Sequence, residues 1–264
     1  MTRTSQNSKL YCVDRGEGTP VLLVHGFPLD HTMWNHQIDA LASRYRVLAP
    51  DLRGFGRSPM FGGDRATMAE LADDLVGLLD ARGVNDPVVL CGLSMGGYIA
   101  LQFWQNHAKR LRALVLCDTR AAADSSDVAA GRRVAADRVL REGVGSLVEG
   151  MTPRVFGAST QRLRPERIEP LRRVMLSSDP HAVAAAQRGM ADRPDMRSRL
   201  GEIRCPALIV VGREDVSSPP AEMRTVADAI PGARYVEAPE AGHLSPWENP
   251  EAFNRALLEF LATV

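Results

Sequence analysis

Seven residues, Cys91-Gly92-Leu93-Ser94-Met95-Gly96-Gly97, constrain this chain more than any other stretch. A short apolar run, Pro87-Val88-Val89-Leu90, precedes them, and Tyr98 to Trp104 follows with a helical pattern. The order is strand, tight turn, helix, with Ser94 on the turn. The spacing G-x-S-x-G permits a serine on so sharp a corner. The positions two before and two after must be small, or their side chains would collide across the turn. A serine at the start of a helix also faces free backbone N–H groups, which favour negative charge developing beside it. Gly and Ser are ordinary turn residues, so a chance match is the competing reading and the remaining chain decides.

In chain order, 9–13 is a candidate edge strand, and Gly16 to Pro20 a turn. Val21-Leu22-Leu23-Val24 is a continuous apolar run ended by turn residues, the mark of a strand buried on both faces. His25 to Asp30 is a loop, His31 to Ala42 a helix, and Tyr45 to Pro50 a further strand. Asp51 to Ser58 is turn-rich, and Asp51 and Arg53 read as loop-shaping. Thr67 caps a helix to about Ala81 whose apolar stripe is Met68, Leu71, Ala72, Leu75, Leu78 and Leu79. After the elbow, 114–117 is a strand ending at Asp118. Strands resume at 207–211 and 234–237, separated by a helix near Ala221 to Ala229. Ala241-Gly242-His243 leads to a last helix from about Pro250 to Ala262.

Strands alternating with helices predict an α/β fold: a mostly parallel sheet with helices on both faces. From about Arg120 to Arg204 no buried strand is visible. Prolines and glycines break an Ala-, Arg- and Leu-rich stretch into short helices. The expected organisation is a core of 1–119 and 205–264 with a helical cap inserted at 120–204. In such sheets ligands bind at the carboxyl ends of the strands. His25, Asp51, Ser94, Asp118, Asp215 and His243 all fall at or just after predicted strand ends.

Formal net charge is zero, so nothing suggests a nucleic-acid partner or an anionic membrane surface. No apolar run approaches the ~18 residues of a membrane span, and the first eight residues carry no apolar h-region. Cys12, Cys91, Cys117 and Cys205 are far apart in sequence and form no C-x-x-C pair. They read as reduced thiols, which points to the cytoplasm.

Five pieces, each after a predicted strand, carry a family resemblance. They are 24–28, 51–58, 92–97, 211–215 and 241–243, which read VHGFP, DLRGFGRS, GLSMGG, VGRED and AGH. In this order the sequence resembles the α/β-hydrolase fold family over nearly its whole length. In detail it is most similar to small carboxylesterases and enol-lactone hydrolases, with cofactor-free perhydrolases close by. The resemblance implies hydrolysis of a carboxylic ester or lactone of a small molecule through an acyl-enzyme. Ser94 is then the nucleophile, His243 its base and Asp215 the acid that orients the imidazole. The backbone N–H groups of Phe27 and Met95 form the oxyanion hole. No metal or organic cofactor is required. Asp118 is a rival for the acid, because some members of the resembling family carry it one strand after the elbow, and Glu214 is a weaker one. The expected substrate pocket includes Leu29, Met151 and Phe156, with core packing as the alternative for each insertion residue. Two other readings stand beside the esterase: perhydrolysis, with peroxide in place of water, and a weakly catalytic ligand receptor on the same fold.

Overall fold

The computed structural model describes residues 10–264. Lys9, with which the first expected strand begins, and the N-terminal stretch before it lie outside the described residues. Seven strands form one sheet: β1 (Cys12–Arg15), β2 (Pro20–Val24), β3 (Arg46–Pro50), β4 (Val88–Leu93), β5 (Leu111–Cys117), β6 (Ala207–Gly212) and β7 (Arg234–Ala238). Their order across the sheet is β1-β3-β2-β4-β5-β6-β7. Among the described residues only β1 runs antiparallel, against β3. The architecture is the mostly parallel α/β sheet expected from the sequence.

The continuous apolar runs mark the middle of the sheet. Every residue of β2, β4 and β6 is buried, because helices cover both faces there. Each fully buried Val or Leu contributes roughly 1.5–3 kcal/mol relative to exposure, so these runs supply much of the driving force for the core. The edge strand β7 is exposed at Arg234, half-buried over 235–237 and buried only at Ala238.

Helix α1 (Asn35–Leu41) is shorter than the helix expected over 31–42. His31–Trp34 instead forms a 3-10 turn capped by Asp30, whose carboxylate accepts from Thr32 N at 2.9 Å. Helix α2 (Met68–Ala81) starts at Thr67 with reciprocal caps: Thr67 Oγ1 accepts from Glu70 N, and Glu70 Oε2 accepts from Thr67 N. All six residues of its apolar stripe are buried. Helix α3 (Met95–His107) begins at the residue after Ser94.

Between β5 and β6 the chain forms five α-helices: α4 (Ser126–Glu142), α5 (Gly145–Val155), α6 (Ala158–Leu163), α7 (Ile168–Leu176) and α8 (Pro180–Ala191). Helix α4 lies along α8. Helix α8 seats on the loop before α2, where Ala66 N donates to Ala185 O at 3.1 Å. Gly189 is required at this seat, since a Cβ there would enter the Ala66 carbonyl. The chain closes with α9 (Pro220–Ala229), α10 (Ser245–Glu248) and α11 (Pro250–Leu261). No helix among the described residues is long and apolar enough to cross a membrane.

The parallel register sets Leu93, at the end of β4, opposite Cys117, at the end of β5. Cys117 in turn pairs with Val210 of β6. Ser94, Asp118 and the loop carrying Asp215 therefore emerge side by side from one edge of the sheet.

Candidate active site

Ser94 has φ 53° and ψ −112°, a region that side chains other than glycine enter at a cost of roughly 1–3 kcal/mol. The surrounding glycines explain how the turn tolerates it. A Cβ on Gly92 would overlap the Gly96 carbonyl, and one on Gly96 would overlap the Val24 carbonyl. A Cβ on Gly97 would strike the Thr119 side chain. The turn is held from both sides: Ser94 N donates to Cys117 O at 2.9 Å, and Thr119 Oγ1 donates to Ser94 O at 2.7 Å.

His243 lies on the loop between β7 and α10. Its Nε2 is 2.8 Å from Ser94 Oγ, and its Nδ1 is 2.8 Å from Asp215 Oδ2. The acceptor-only carboxylate requires the proton on Nδ1, which leaves Nε2 to accept from the serine hydroxyl. Asp215 is fixed in turn by the backbone N–H groups of Ser217 and Ser218, which donate to Oδ1 at 2.7 and 2.9 Å. Burial pushes the Asp215 carboxyl upward, but the imidazole and these N–H groups outweigh it, so the group stays below the usual carboxylate range. Burial pushes His243 downward, but the Asp215 charge outweighs that and raises it above its ordinary value. An imidazole so held can take a proton from Ser94 and return it. No protein acceptor is found among the described residues for the backbone N–H of Phe27 or of Met95. Met95 is the first residue of α3, where such donors are free.

Asp118 is brought near this group but not to the imidazole. It is fully buried, and its carboxylate accepts from Gly212 N at 2.7 Å and Ser245 Oγ at 2.5 Å. Burial, and then repulsion from Asp215, raise its carboxyl well above the usual range. Glu214 turns away to the helical insertion, where it accepts from Ser159 N and Oγ at 2.7 and 2.5 Å.

Glu248 escaped sequence reasoning. Glu248 is buried, and its carboxylate accepts from the backbone N–H of Gly157 at 2.7 Å, Gly242 at 2.9 Å and Leu244 at 3.1 Å. It thus grips both neighbours of His243 and ties them to the junction of α5 and α6. His243 N completes the tie by donating to Val155 O at 3.0 Å. His25 is also fully buried. Nε2 accepts from Leu52 N at 2.9 Å while Nδ1 donates to Gly26 O at 2.9 Å, so a neutral imidazole joins the Phe27 loop to the 51–58 loop. In sequence Glu248 is a single polar letter without period or spacing to mark it, whereas His25 stands in the 24–28 motif at a strand end, where a loop-ordering role is expected.

A cavity of about 420 Å³ opens over Ser94 and His243, with Phe27 beside them. Leu147, Met151, Val155 and Met190 supply apolar wall from the insertion. Two of the expected pocket residues do not line it. Leu29 is 1% exposed and packs in the core, where its N–H donates to Gly26 O. Phe156 is 2% exposed and packs inward where α5 ends. Both are large apolar side chains next to a turn, and the direction of the turn sends them into the core rather than into the cavity. Among the described residues, Asp30, His31 and Asp51 form a three-residue cluster with potential metal-binding atoms. Its carboxylates already accept from Thr32, His31 and Arg57, so the cluster knits loops together.

The fold, together with a serine at a strand-to-helix corner hydrogen-bonded to a histidine that an aspartate from another loop holds in turn, defines a hydrolase of the α/β class. A model described as the alpha/beta hydrolase family matches residues 21–256, and the chain belongs to that family. A thermophilic esterase from Thermogutta terrifontis, solved with malate bound, is 49% identical. It superposes with a TM-score of 0.94 over 96% of this chain and 93% of its own. The enol-lactonase from Burkholderia xenovorans is 32% identical, with a TM-score of 0.88 over 96% of each chain. A putative non-heme bromoperoxidase of Mycobacterium tuberculosis is 30% identical over 95% of this chain and 97% of its own.

Proposed function

We propose that the chain is a serine hydrolase that cleaves carboxylic esters or lactones of small molecules through an acyl-enzyme. The observation that carries this reading is the pair of 2.8 Å contacts linking Ser94, His243 and Asp215 beneath the cavity. The esterase and enol-lactonase relatives support it.

His243 Nε2 takes the Ser94 proton as Oγ attacks the carbonyl carbon. The carbonyl oxygen becomes an oxyanion facing the N–H groups of Phe27 and Met95. Asp215 stabilises the imidazolium that forms. The intermediate collapses, the alkoxide leaves with the proton from His243, and the acyl group stays on Oγ. Water then enters, gives its proton to His243 and attacks the acyl carbon. The acid departs and Oγ recovers its proton. No step needs a cofactor. The free thiols of Cys12, Cys91, Cys117 and Cys205 fit a protein working in the reducing cytoplasm, and the helical insertion is read as a cap over the cavity.

A second reaction is favoured by the bromoperoxidase relative. Hydrogen peroxide in place of water would release a peracid from the same acyl-enzyme. Pre-steady-state kinetics on p-nitrophenyl esters, with and without peroxide, test both. A burst of nitrophenol followed by steady turnover is expected. A single burst without turnover indicates a binding protein, and no burst or turnover on any ester or lactone overturns the hydrolase reading.

A further inference from the structure

We infer that the cavity contains a subsite for a carboxylate, built by Arg132, Gln187 and Arg154, so that the preferred ester carries an anionic group away from its scissile bond. This rests on the hydrolase reading for the chemistry, and on the polar groups of the cavity wall for the ligand.

The cavity wall carries more cationic donors than acidic acceptors. Of its ionisable residues away from His243, Arg120, Arg132 and Arg154 face a single acid, Asp124. Asp124 is already held twice, by Arg132 Nε at 2.6 Å and by the buried Arg193 Nη1 at 2.8 Å. Arg193 is braced by the Tyr98 ring, its guanidinium carbon 4.2 Å from the ring centroid. Both contacts fall on Oδ2, so two guanidinium groups, those of Arg132 and Arg193, hold and offset the single carboxylate charge of the wall.

Gln187 is 5% exposed, and its Oε1 accepts from Arg132 Nη1 at 3.1 Å. A guanidinium has no acceptor, so this contact fixes which end of the amide is oxygen. Gln187 belongs to the cavity wall, and its amide NH₂ has no acceptor among the described residues. Arg132 Nη2 is left open once Nε and Nη1 are engaged. Arg154, at the exposed end of α5, has no acceptor among the described residues. Arg120 contributes less, because it donates to Ser217 O and lies 3.3 Å from Glu222. A neutral ester leaves these donors to water. A carboxylate satisfies them with charge-assisted hydrogen bonds, and a guanidinium edge presents paired N–H groups to it.

The test compares monomethyl succinate with methyl 4-methylpentanoate, which has the same heavy-atom shape beyond the ester carbonyl but no charge. The wild type is expected to favour the acid in kcat/KM by about tenfold or more, the worth of one charge-assisted contact. High salt should erode the preference. Arg132→Met and Gln187→Leu should each cut the ratio, and so should Arg154→Met, which sits on the surface and spares the fold. Calorimetric titration of Ser94→Ala protein with monomethyl succinate separates recognition from turnover. Binding there that weakens in the Ser94→Ala/Arg154→Met double variant supports the subsite even if the hydrolase reading fails. Equal use of the two esters by the wild type, or an acid preference unmoved in all three variants, overturns it.

Discussion

The hydroxyl of Ser245, two residues beyond His243, donates to the carboxylate of Asp118 at 2.5 Å. Through its other oxygen Asp118 takes the Gly212 N–H, so it pins the histidine loop to the end of β6. Asp215, from the loop after β6, holds the imidazole itself. Two buried carboxylates at one sheet edge thus do different work. Asp215→Asn is expected to lower kcat by orders of magnitude, up to about 10⁴ by the serine-protease precedent. Asp118→Asn keeps an acceptor for Gly212 and should cost at most about tenfold, since it changes a brace rather than the imidazole's partner. Measuring kcat for both variants on one ester checks this, and a larger loss at Asp118 exchanges the two roles.

The pH profile follows from the same pair. Only neutral His243 can accept the Ser94 proton, so activity is lost as the imidazole protonates. The Asp215 charge raises His243 above its usual 6.5 despite burial. The acid limb of kcat/KM is therefore expected above that value. In Asp215→Asn the largest attraction is removed and the burial remains, so the limb moves to lower pH. A limb that stays in place in the variant means another group is titrating.

The elbow was legible because sterics write it into the sequence: Gly92, Gly96 and Gly97 stand where a Cβ would strike backbone or Thr119. The parallel strands were legible because burial on both faces demands unbroken apolar runs such as Val21 to Val24. The 3-10 turn at His31–Trp34 was not, because Asp30 and Asp51 bend that segment through side-chain contacts that leave no period. Leu29 and Phe156 were misplaced for a related reason. Apolar character predicts that a side chain avoids water, not whether it faces the core or a cavity. Glu248 and the donors of the cavity wall depend on residues far apart in sequence, as in the contact of Glu248 with Gly157.

Glu248 should behave as a positioning residue. Glu248→Ala leaves three buried backbone donors without an acceptor, each worth roughly 1–3 kcal/mol. A clear fall in Tm is expected, and kcat should drop because the neighbours of His243 lose their anchor. Glu248→Gln retains one oxygen and should recover part of both losses. Thermal denaturation alongside ester kinetics on the two variants checks the ordering. Full activity in the alanine variant would show that the loop holds without it.

The central claim is that Ser94 is the residue acylated during turnover. Treating the protein with a p-nitrophenyl phosphonate ester and mapping the adduct by peptide mass spectrometry measures this directly. One label per chain, on Ser94, is predicted, with loss of esterase activity in step with labelling and no label in Ser94→Ala. A label on another serine, or an alanine variant that turns over esters at the wild-type rate, contradicts the account.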